Sequence, residues 1–197
     1  SEISIIDMTC PIVKKLQFAV KYLSDNEYFV IIVGNEKHPE VIGARSYAKK
    51  ERVLVVNDKN GLDIKVIPGQ KIGIVAQTTI QKNLFWDVVD MFKEEQEYTI
   101  KEIDTLCDDI NNKQIESKEI AKDVDIMFVI GGKNSSNTKE IADICRKVNK
   151  NTYQIETFKE IKELGMDLED KVVGITAGAS TPPWLIKQTI DGVLHHG

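Results

Sequence analysis

Cys10 and Cys107 occupy the same sequence frame. In IDMTCPIVKKLQ and IDTLCDDINNKQ the cysteine comes three residues after an aspartate and seven residues before a glutamine. Three cysteines are too few for a disulfide framework and fit a reducing cytosol, where thiolates bind metals or act as nucleophiles. A single cysteine is most often a small buried apolar residue. The repetition favours a shared role for Cys10 and Cys107 instead.

The third cysteine has a different setting. Cys145 lies at helical spacing from Ile141 and Val148 in EIADICRKV. This spacing predicts a core position on the apolar face of a helix. Cys145 is therefore not expected to be a ligand.

The repeat extends beyond the cysteines. Gly34 and Gly131 each lie 24 positions after their cysteine, and a polar loop follows each glycine. Further along, GIVAQTT matches GITAGAS at a spacing of 101 residues. Matched landmarks in the same order indicate a duplicated unit.

Short apolar runs alternate with amphipathic segments along the whole chain. The runs YFVIIVG, RVLVVN, KIGIVAQ and DIMFVIG are typical of buried strands, and helical patterns follow them. The fold class is therefore predicted as α/β, with two similar parallel-sheet units related by the internal repeat. We expect one unit at residues 1–102, with Cys10 and the HPE loop, and another at 103–197, with Cys107 and the NSSN loop.

Small polar residues follow several of these strands. KNSSNT offers Ser135, Ser136 and Asn137 at a helix start, where outward N–H groups and the helix dipole favour an anion. Ordinary N-capping is the simpler interpretation, although a cap does not need so many polar residues. The strand ends AQTT, with Thr78, and AGAS, with Ser180, add further donors. Together these residues predict a pocket for a phosphate or a diphosphate.

His38 and Glu40 supply the titratable groups. An imidazole can donate to an anion and titrates near neutral pH, and a carboxyl group can carry a proton to a leaving group. In isolation the HPE loop would be an ordinary surface loop. Because it is equivalent by repeat to KNSSN, we expect it to face the same site.

Paired cysteines also suggest a cofactor. An iron–sulfur cluster takes up to four thiolates, and a catalytic cluster keeps one iron open. Repeats with one cysteine each therefore predict a third unit, on the N-terminal side, that supplies a third cysteine. The net charge of −5 and the lack of a basic stripe argue against nucleic acid as a partner. No apolar run approaches the length of a membrane span, so we expect a cytoplasmic protein without membrane association.

Six motifs resemble, in order, the signatures of the 4-hydroxy-3-methylbut-2-enyl diphosphate reductase family, which is of the LytB type: IDMTCP, HPEVIG, AQTT, TLCDDINNKQ, GGKNSSNT and GITAGASTP. The resemblance implies three similar α/β units around a [4Fe-4S] cluster. It also implies the last step of the non-mevalonate isoprenoid pathway, in which an allylic diphosphate loses its hydroxyl group and gives isopentenyl and dimethylallyl diphosphates. Ferredoxin or flavodoxin would donate the electrons.

The same resemblance implies roles for individual residues. Cys10 and Cys107 match cluster ligands, and Glu40 with Thr78 matches the groups that deliver protons to the substrate hydroxyl. The matches to substrate-binding residues are His38, Ser135, Ser136, Asn137 and Ser180.

The family has a further cysteine and two more histidines in a first unit that this chain lacks. We therefore expect units two and three of a three-unit enzyme, inactive alone, in which the cluster site is incomplete. The competing hypothesis is a non-catalytic two-lobed module that binds a phosphorylated ligand and keeps its cysteines in the core. A natural truncated relative with a scaffold or regulatory role is a third, weaker possibility.

Overall fold

Parallel strands and helices alternate along the chain, as the apolar runs predict. The computed structural model describes residues 6–58, 71–95 and 97–195. The chain divides into two compact units, Ser1–Cys107 and Asp108–Gly197. Each unit is described separately below.

The first unit is built on a four-stranded sheet in the order β2-β1-β3-β4, with every neighbouring pair parallel. The central strand β1 pairs Val30 with Val53 on one side and with Gly73 on the other. The elements are α1 Pro11–Asp25, β1 Phe29–Val33, α2 Pro39–Arg45, a 3₁₀ turn Lys50–Arg52, β2 Val53–Val56, β3 Lys71–Ala76, α3 Lys82–Glu94 and β4 Thr99–Glu102.

Both faces of this sheet are covered, which explains why β1 is apolar throughout rather than alternating. Ile31 and Val33 pack on one face with the apolar side of α3, which includes Phe85 and Phe92. Val30 and Ile32 pack on the opposite face with residues of α1 and α2. Successive strand residues point to opposite faces, so one short segment contributes to both cores.

The second unit has a three-stranded parallel sheet in the order β6-β5-β7. Phe128 and Ile130 of β5 pack with α6 and α7, whereas Met127 and Val129 pack with α4 and α5. The elements are α4 Asp108–Lys122, β5 Ile126–Ile130, α5 Ser136–Val148, β6 Thr152–Ile155, α6 Phe158–Glu163, β7 Val173–Ala177 and α7 Pro183–Leu194.

The predicted fold class and internal repeat are confirmed by the sheet orders. The arrangement β2-β1-β3 in the first unit corresponds strand for strand to β6-β5-β7 in the second. A helix precedes the central strand of each sheet, and another follows it. Across residues 6–58, 71–95 and 97–195, none of the helices has the length and apolar composition needed to cross a lipid bilayer.

The first unit extends to Cys107, whereas the repeat pattern predicts a boundary after residue 102. Residues 103–107 stay with the first unit because they hydrogen-bond to the end of β3. The Ile103 N–H donates to the Ile74 carbonyl at 2.9 Å. The buried Thr105 hydroxyl accepts from the Ala76 N–H at 2.9 Å and donates to the Ala76 carbonyl at 2.6 Å.

Candidate active site

A carboxyl group and a hydroxyl group meet at the carboxyl edge of the first sheet. Glu40 lies in the first turn of α2, and Thr78 follows β3. The Thr78 N–H donates to Glu40 Oε1 at 2.8 Å, and the Thr78 hydroxyl donates to Glu40 Oε2 at 3.0 Å. Because β1 and β3 are parallel neighbours, the loops that follow them emerge side by side.

Burial raises the pKa of Glu40 above its ordinary value. The two hydrogen bonds from Thr78 and the nearby His38 act in the opposite direction without cancelling this effect. A carboxyl group with a raised pKa keeps its proton to a higher pH, which suits a proton donor. The geometry and the electrostatics of the pair therefore both fit proton transfer.

His38 is the N-cap of α2. Its Nδ1 accepts from the Glu40 N–H at 3.3 Å, and Pro39 occupies the first helical position. With Nδ1 used as an acceptor, the imidazole has Nε2 left to donate to a ligand. The cap therefore orients the ring that the sequence predicts as an anion contact.

Cys107 lies next to this pair. Its N–H donates to the Thr78 carbonyl at 3.0 Å, and its side chain is half-buried. The Thr105 clamp on Ala76 holds the segment that carries it. The structure thus connects Cys107 to Glu40 through a single residue, Thr78.

Cys10 lies at the same edge of the sheet. It is the N-cap residue of α1, its side chain makes no capping hydrogen bond, and it is exposed. Helix α1 packs on β1 and β3 and reaches β1 through a short connection, so it runs antiparallel to the strands. Its 15 residues span about 22 Å, enough to return its start to the carboxyl ends of the strands.

Cys145 behaves as the sequence predicts. It is fully buried in the core formed by α4, α5 and β5, and its thiol donates to the Ser117 carbonyl at 3.4 Å. Burial raises the pKa of this thiol to about 11. The prediction that Cys145 is a packing residue is confirmed.

In the second unit the loops after β5 and β7 emerge side by side, since these strands are parallel neighbours. The first loop leads through Ser135, the N-cap of α5, to Ser136 and Asn137. The second loop carries Ser180, which is exposed. The Ser135 hydroxyl accepts from the Thr138 N–H at 3.3 Å, so this serine does act as an ordinary cap.

Asn137 is not explained by capping. It is only 8% exposed, yet neither its Nδ2 nor its Oδ1 has a hydrogen-bond partner. Among the residues that the structure describes, the unpartnered buried side-chain atoms are these two and Thr138 Oγ1, all at the start of α5. Buried polar groups are nearly always paired, so an unpaired amide at a helix N-terminus points to a ligand that completes it.

Other residues of the site were not singled out from the sequence. Gln77 is 1% exposed, and its Oε1 accepts from the Asn35 N–H at 2.9 Å, which fixes the loop before His38. In the second unit Glu156 accepts from the Lys133 N–H at 2.8 Å and fixes the loop before Ser135. Their positions in the sequence could have identified them. Gln77 directly follows β3, the neighbour of β1, and Glu156 directly follows β6, the neighbour of β5.

The described residues contain no group of three or more histidine, cysteine, aspartate or glutamate side chains placed to hold a metal ion. Cys10 and Cys107 supply fewer thiolates than an iron–sulfur cluster takes. Cys145 cannot complete the set, because it is enclosed in the core of the second unit. The residues of this chain alone therefore do not fit a complete cluster.

The fold and the site define a duplicated α/β protein with a hydrogen-bonded carboxyl–hydroxyl pair in one unit and an unpartnered buried amide at a helix start in the other. Comparison with known proteins agrees with this class. The family model for the LytB protein matches residues 1–194, so the chain belongs to the LytB family, as the motifs predict.

Its curated relatives are named 4-hydroxy-3-methylbut-2-enyl diphosphate reductase. The protein from Geobacter metallireducens is 42% identical over 193 residues, which are 98% of this chain and 67% of the relative. The protein from Clostridium perfringens is 40% identical over 187 residues, or 94% of this chain and 64% of the relative. The chain therefore spans about two thirds of the length of these relatives.

Two solved structures are similar as well. One is described as (E)-4-hydroxy-3-methyl-but-2-enyl diphosphate reductase, the terminal enzyme of the non-mevalonate pathway; it is 37% identical, with a TM-score of 0.58 over 98% of this chain and 68% of that one. The reductase from Plasmodium falciparum is 25% identical, with a TM-score of 0.82 over 94% of this chain and 58% of that one.

Proposed function

We propose that this chain forms two of the units of an enzyme that removes the hydroxyl group of 4-hydroxy-3-methylbut-2-enyl diphosphate. The carbon–oxygen bond breaks and the oxygen leaves as water. Two electrons and two protons enter, and the products are isopentenyl and dimethylallyl diphosphates. The observation that carries this proposal is the hydrogen-bonded Glu40–Thr78 pair, in a family whose curated members are named for this reduction.

Binding of the diphosphate is assigned to neutral donors and one imidazole. Ser135, Ser136 and Asn137 lie at the start of α5, and Ser180 lies on the neighbouring loop. The unpartnered Asn137 amide supports this role, because a phosphate oxygen would satisfy its Nδ2. His38 is proposed as a further substrate contact, through its Nε2. Binding of the diphosphate positions the hydroxyl-bearing end of the substrate, so no charged group is needed at the reacting carbon to hold it.

Proton delivery is assigned to Glu40 and Thr78. Because burial raises the pKa of Glu40, its protonated fraction is larger than that of an ordinary surface carboxyl group. The Thr78 hydroxyl bonds to Glu40 Oε2 and can pass a proton between that oxygen and a substrate hydroxyl. This pair would protonate the departing oxygen.

Cys10 and Cys107 are proposed as two thiolate ligands of a [4Fe-4S] cluster. The third ligand would come from the part of the relatives' length that this chain does not span. When bound, such a cluster supplies electrons one at a time, received from a ferredoxin or a flavodoxin. We place this reaction in the cytoplasm.

The test of the proton role is Glu40→Gln in a protein of the relatives' full length. Glutamine can still accept from the Thr78 N–H, and its NH2 group can donate to the Thr78 hydroxyl, but it is not an acid at neutral pH. Turnover is therefore expected to fall about 10²- to 10⁴-fold. The Kd for inorganic pyrophosphate is expected to change less than about threefold, because the anion contacts are untouched.

The matched control is Glu36→Gln in the same loop, where the side chain is exposed and pairs with Arg45. Its turnover is expected to stay within about twofold of the original, since exposed ion pairs contribute little. Unchanged turnover of the Glu40 variant would rule out the proton role.

The alternative of a non-catalytic binding module is not favoured by the comparisons, since the curated relatives are named as reductases. Anaerobic reconstitution of the full-length protein with ferrous iron and sulfide separates the two functions. A brown protein that loses its colour in Cys10→Ser and Cys107→Ser, but keeps it in the control Cys145→Ser, supports the reductase. A colourless protein that still binds pyrophosphate supports the module.

A further inference from the structure

The duplication provides an internal comparison for Thr138. Thr138 follows Gly131 at the same distance at which Val41 follows Gly34, and the two glycines are equivalent by repeat. Both side chains are completely buried in the first turn of equivalent helices. The first unit therefore shows that valine, which has nearly the same shape as threonine, satisfies the fold at this position.

The hydroxyl that distinguishes threonine from valine has no partner. Thr138 Oγ1 is buried without a hydrogen bond, although the Thr138 N–H is paired with Ser135. A buried hydroxyl without a partner destabilises a protein relative to an apolar group of the same shape. Packing alone would thus favour valine in the second unit too.

The surroundings of this hydroxyl connect it to the loop that carries Ser180. A Cβ atom on Gly131, where φ is +150°, would lie 2.6 Å from Thr138 Oγ1, and a Cβ atom on Gly178 would collide with the same oxygen. Gly178 and Thr181 both donate to the Ile130 carbonyl, at 2.8 and 3.0 Å. The Ile130 carbonyl therefore already accepts from two donors of this loop, and the Thr138 hydroxyl lies close against Gly131 and Gly178.

We propose that Thr138 is a positioning residue that couples the first turn of α5 to the loop 177–181. Its hydroxyl gains a hydrogen bond only in the arrangement that this loop takes when Asn137 and Ser180 hold a diphosphate. The bond formed on binding stabilises the occupied loop relative to the empty one. This inference rests on the proposed function, because it requires the second unit to bind the anion.

The test replaces Thr138 by valine in this chain. Without ligand, the Tm of Thr138→Val is expected to rise, because an unpaired buried hydroxyl is removed. Inorganic pyrophosphate titrated calorimetrically should bind about fivefold to tenfold more weakly, the loss of one hydrogen bond in the occupied state. A purely structural residue would not move stability and affinity in opposite directions.

Two further variants serve as controls. Thr138→Ser keeps the hydroxyl and should bind pyrophosphate within about twofold of the original, with a lower Tm because a buried methyl group is lost. Thr189→Val changes another completely buried threonine of the same unit, whose hydroxyl donates to the Leu185 carbonyl at 2.9 Å. It should lower the Tm and leave pyrophosphate binding unchanged.

The outcomes separate the two proposals. If pyrophosphate binds the original chain and Thr138→Val equally well, the coupling role is wrong and anion binding stands. A lower Tm for ligand-free Thr138→Val would also overturn the coupling role, because the hydroxyl would then be paired in the empty protein. Failure of the original chain to bind pyrophosphate at millimolar concentration would overturn both the coupling role and the anion site.

Discussion

The two units place different chemistry on the same framework. Glu40 and Asn137 are equivalent by repeat, since each lies 30 positions after its matched cysteine. Glu40 receives two hydrogen bonds from Thr78, whereas neither polar atom of Asn137 has a partner. The residue equivalent to Thr78 in the second unit is Ala179, which has no hydroxyl to offer.

The difference shows how one duplicated sheet edge can be specialised. In the first unit the helix start and the neighbouring loop satisfy each other, which holds a carboxyl group in one position. In the second unit the neighbouring loop has small residues, and both polar atoms of the Asn137 amide are left without a partner. A paired group suits a fixed proton donor, and an unpaired buried group suits a binding site.

Each unit contains one of the two tryptophans, Trp86 in the first and Trp184 in the second, so fluorescence can follow their unfolding separately. Trp184→Phe leaves a reporter for the first unit, and Trp86→Phe leaves one for the second.

The largest loss of stability is expected at Gly178, where a side chain has no room beside Thr138. Gly178→Ala should lower the free energy of unfolding of the second unit by about 2–3 kcal/mol, because the new Cβ atom collides with the enclosed Thr138 hydroxyl. Urea unfolding followed by Trp184 measures this. As a control, Gly132→Ala meets only Glu156 Oε1 at 3.8 Å and should change stability by less than about 1 kcal/mol. Equal stability of the two variants would contradict the crowding argument.

A smaller effect should distinguish the ways in which the two loops are held. Gln77→Ala removes a buried acceptor and leaves the Asn35 N–H unpaired, so the first unit should lose about 2 kcal/mol. Glu156→Ala removes the exposed acceptor of the Lys133 N–H. It should lower the free energy of unfolding of the second unit by only about 0.5–1 kcal/mol. The reverse order of the two losses would show that the loops are not held as described.

The smallest effect concerns pH. Because the pKa of Glu40 is raised by burial above its ordinary value of 4.5, ionisation of Glu40 destabilises the folded first unit. The stability that the neutral carboxyl group contributes is complete below pH 4.5 and is lost as the pH rises through the raised pKa. Glu40→Gln should therefore match the Tm of the original protein near pH 4 and exceed it at pH 8. A constant difference from pH 4 to pH 8 would contradict the raised pKa.

Much of the fold could be predicted from local patterns. The run YFVIIVG predicts a strand over Tyr28–Gly34, and β1 spans Phe29–Val33. The helical spacing of Phe85, Val88, Val89 and Phe92 predicts a helix over Asn83–Glu97, and α3 spans Lys82–Glu94. Helix α1 was not anticipated, although its apolar residues Leu16, Val20 and Leu23 recur at helical spacing and are all buried.

The site was less accessible to sequence reasoning, because its key features depend on contacts between distant segments. The Thr105 hydroxyl forms two hydrogen bonds with the backbone of Ala76, and no local sequence pattern predicts this contact. The repeat placed Cys107 with the second unit, but hydrogen bonding keeps residues 103–107 with the first. Whether Asn137 is satisfied depends on which residue stands opposite it, and only tertiary structure shows that.

Both backbone polar groups of Thr78 are hydrogen-bonded, which allows the site in the first unit to be followed by amide exchange. Its own amide proton is held by Glu40, and its carbonyl holds the amide proton of Cys107. These two amide protons should exchange with heavy water slowly and at matching rates, because neither can open without disturbing the residue they share. Deuterium uptake at Thr78 and Cys107 would therefore report, without substrate or assay, whether the Glu40–Thr78 pair is assembled in a given preparation.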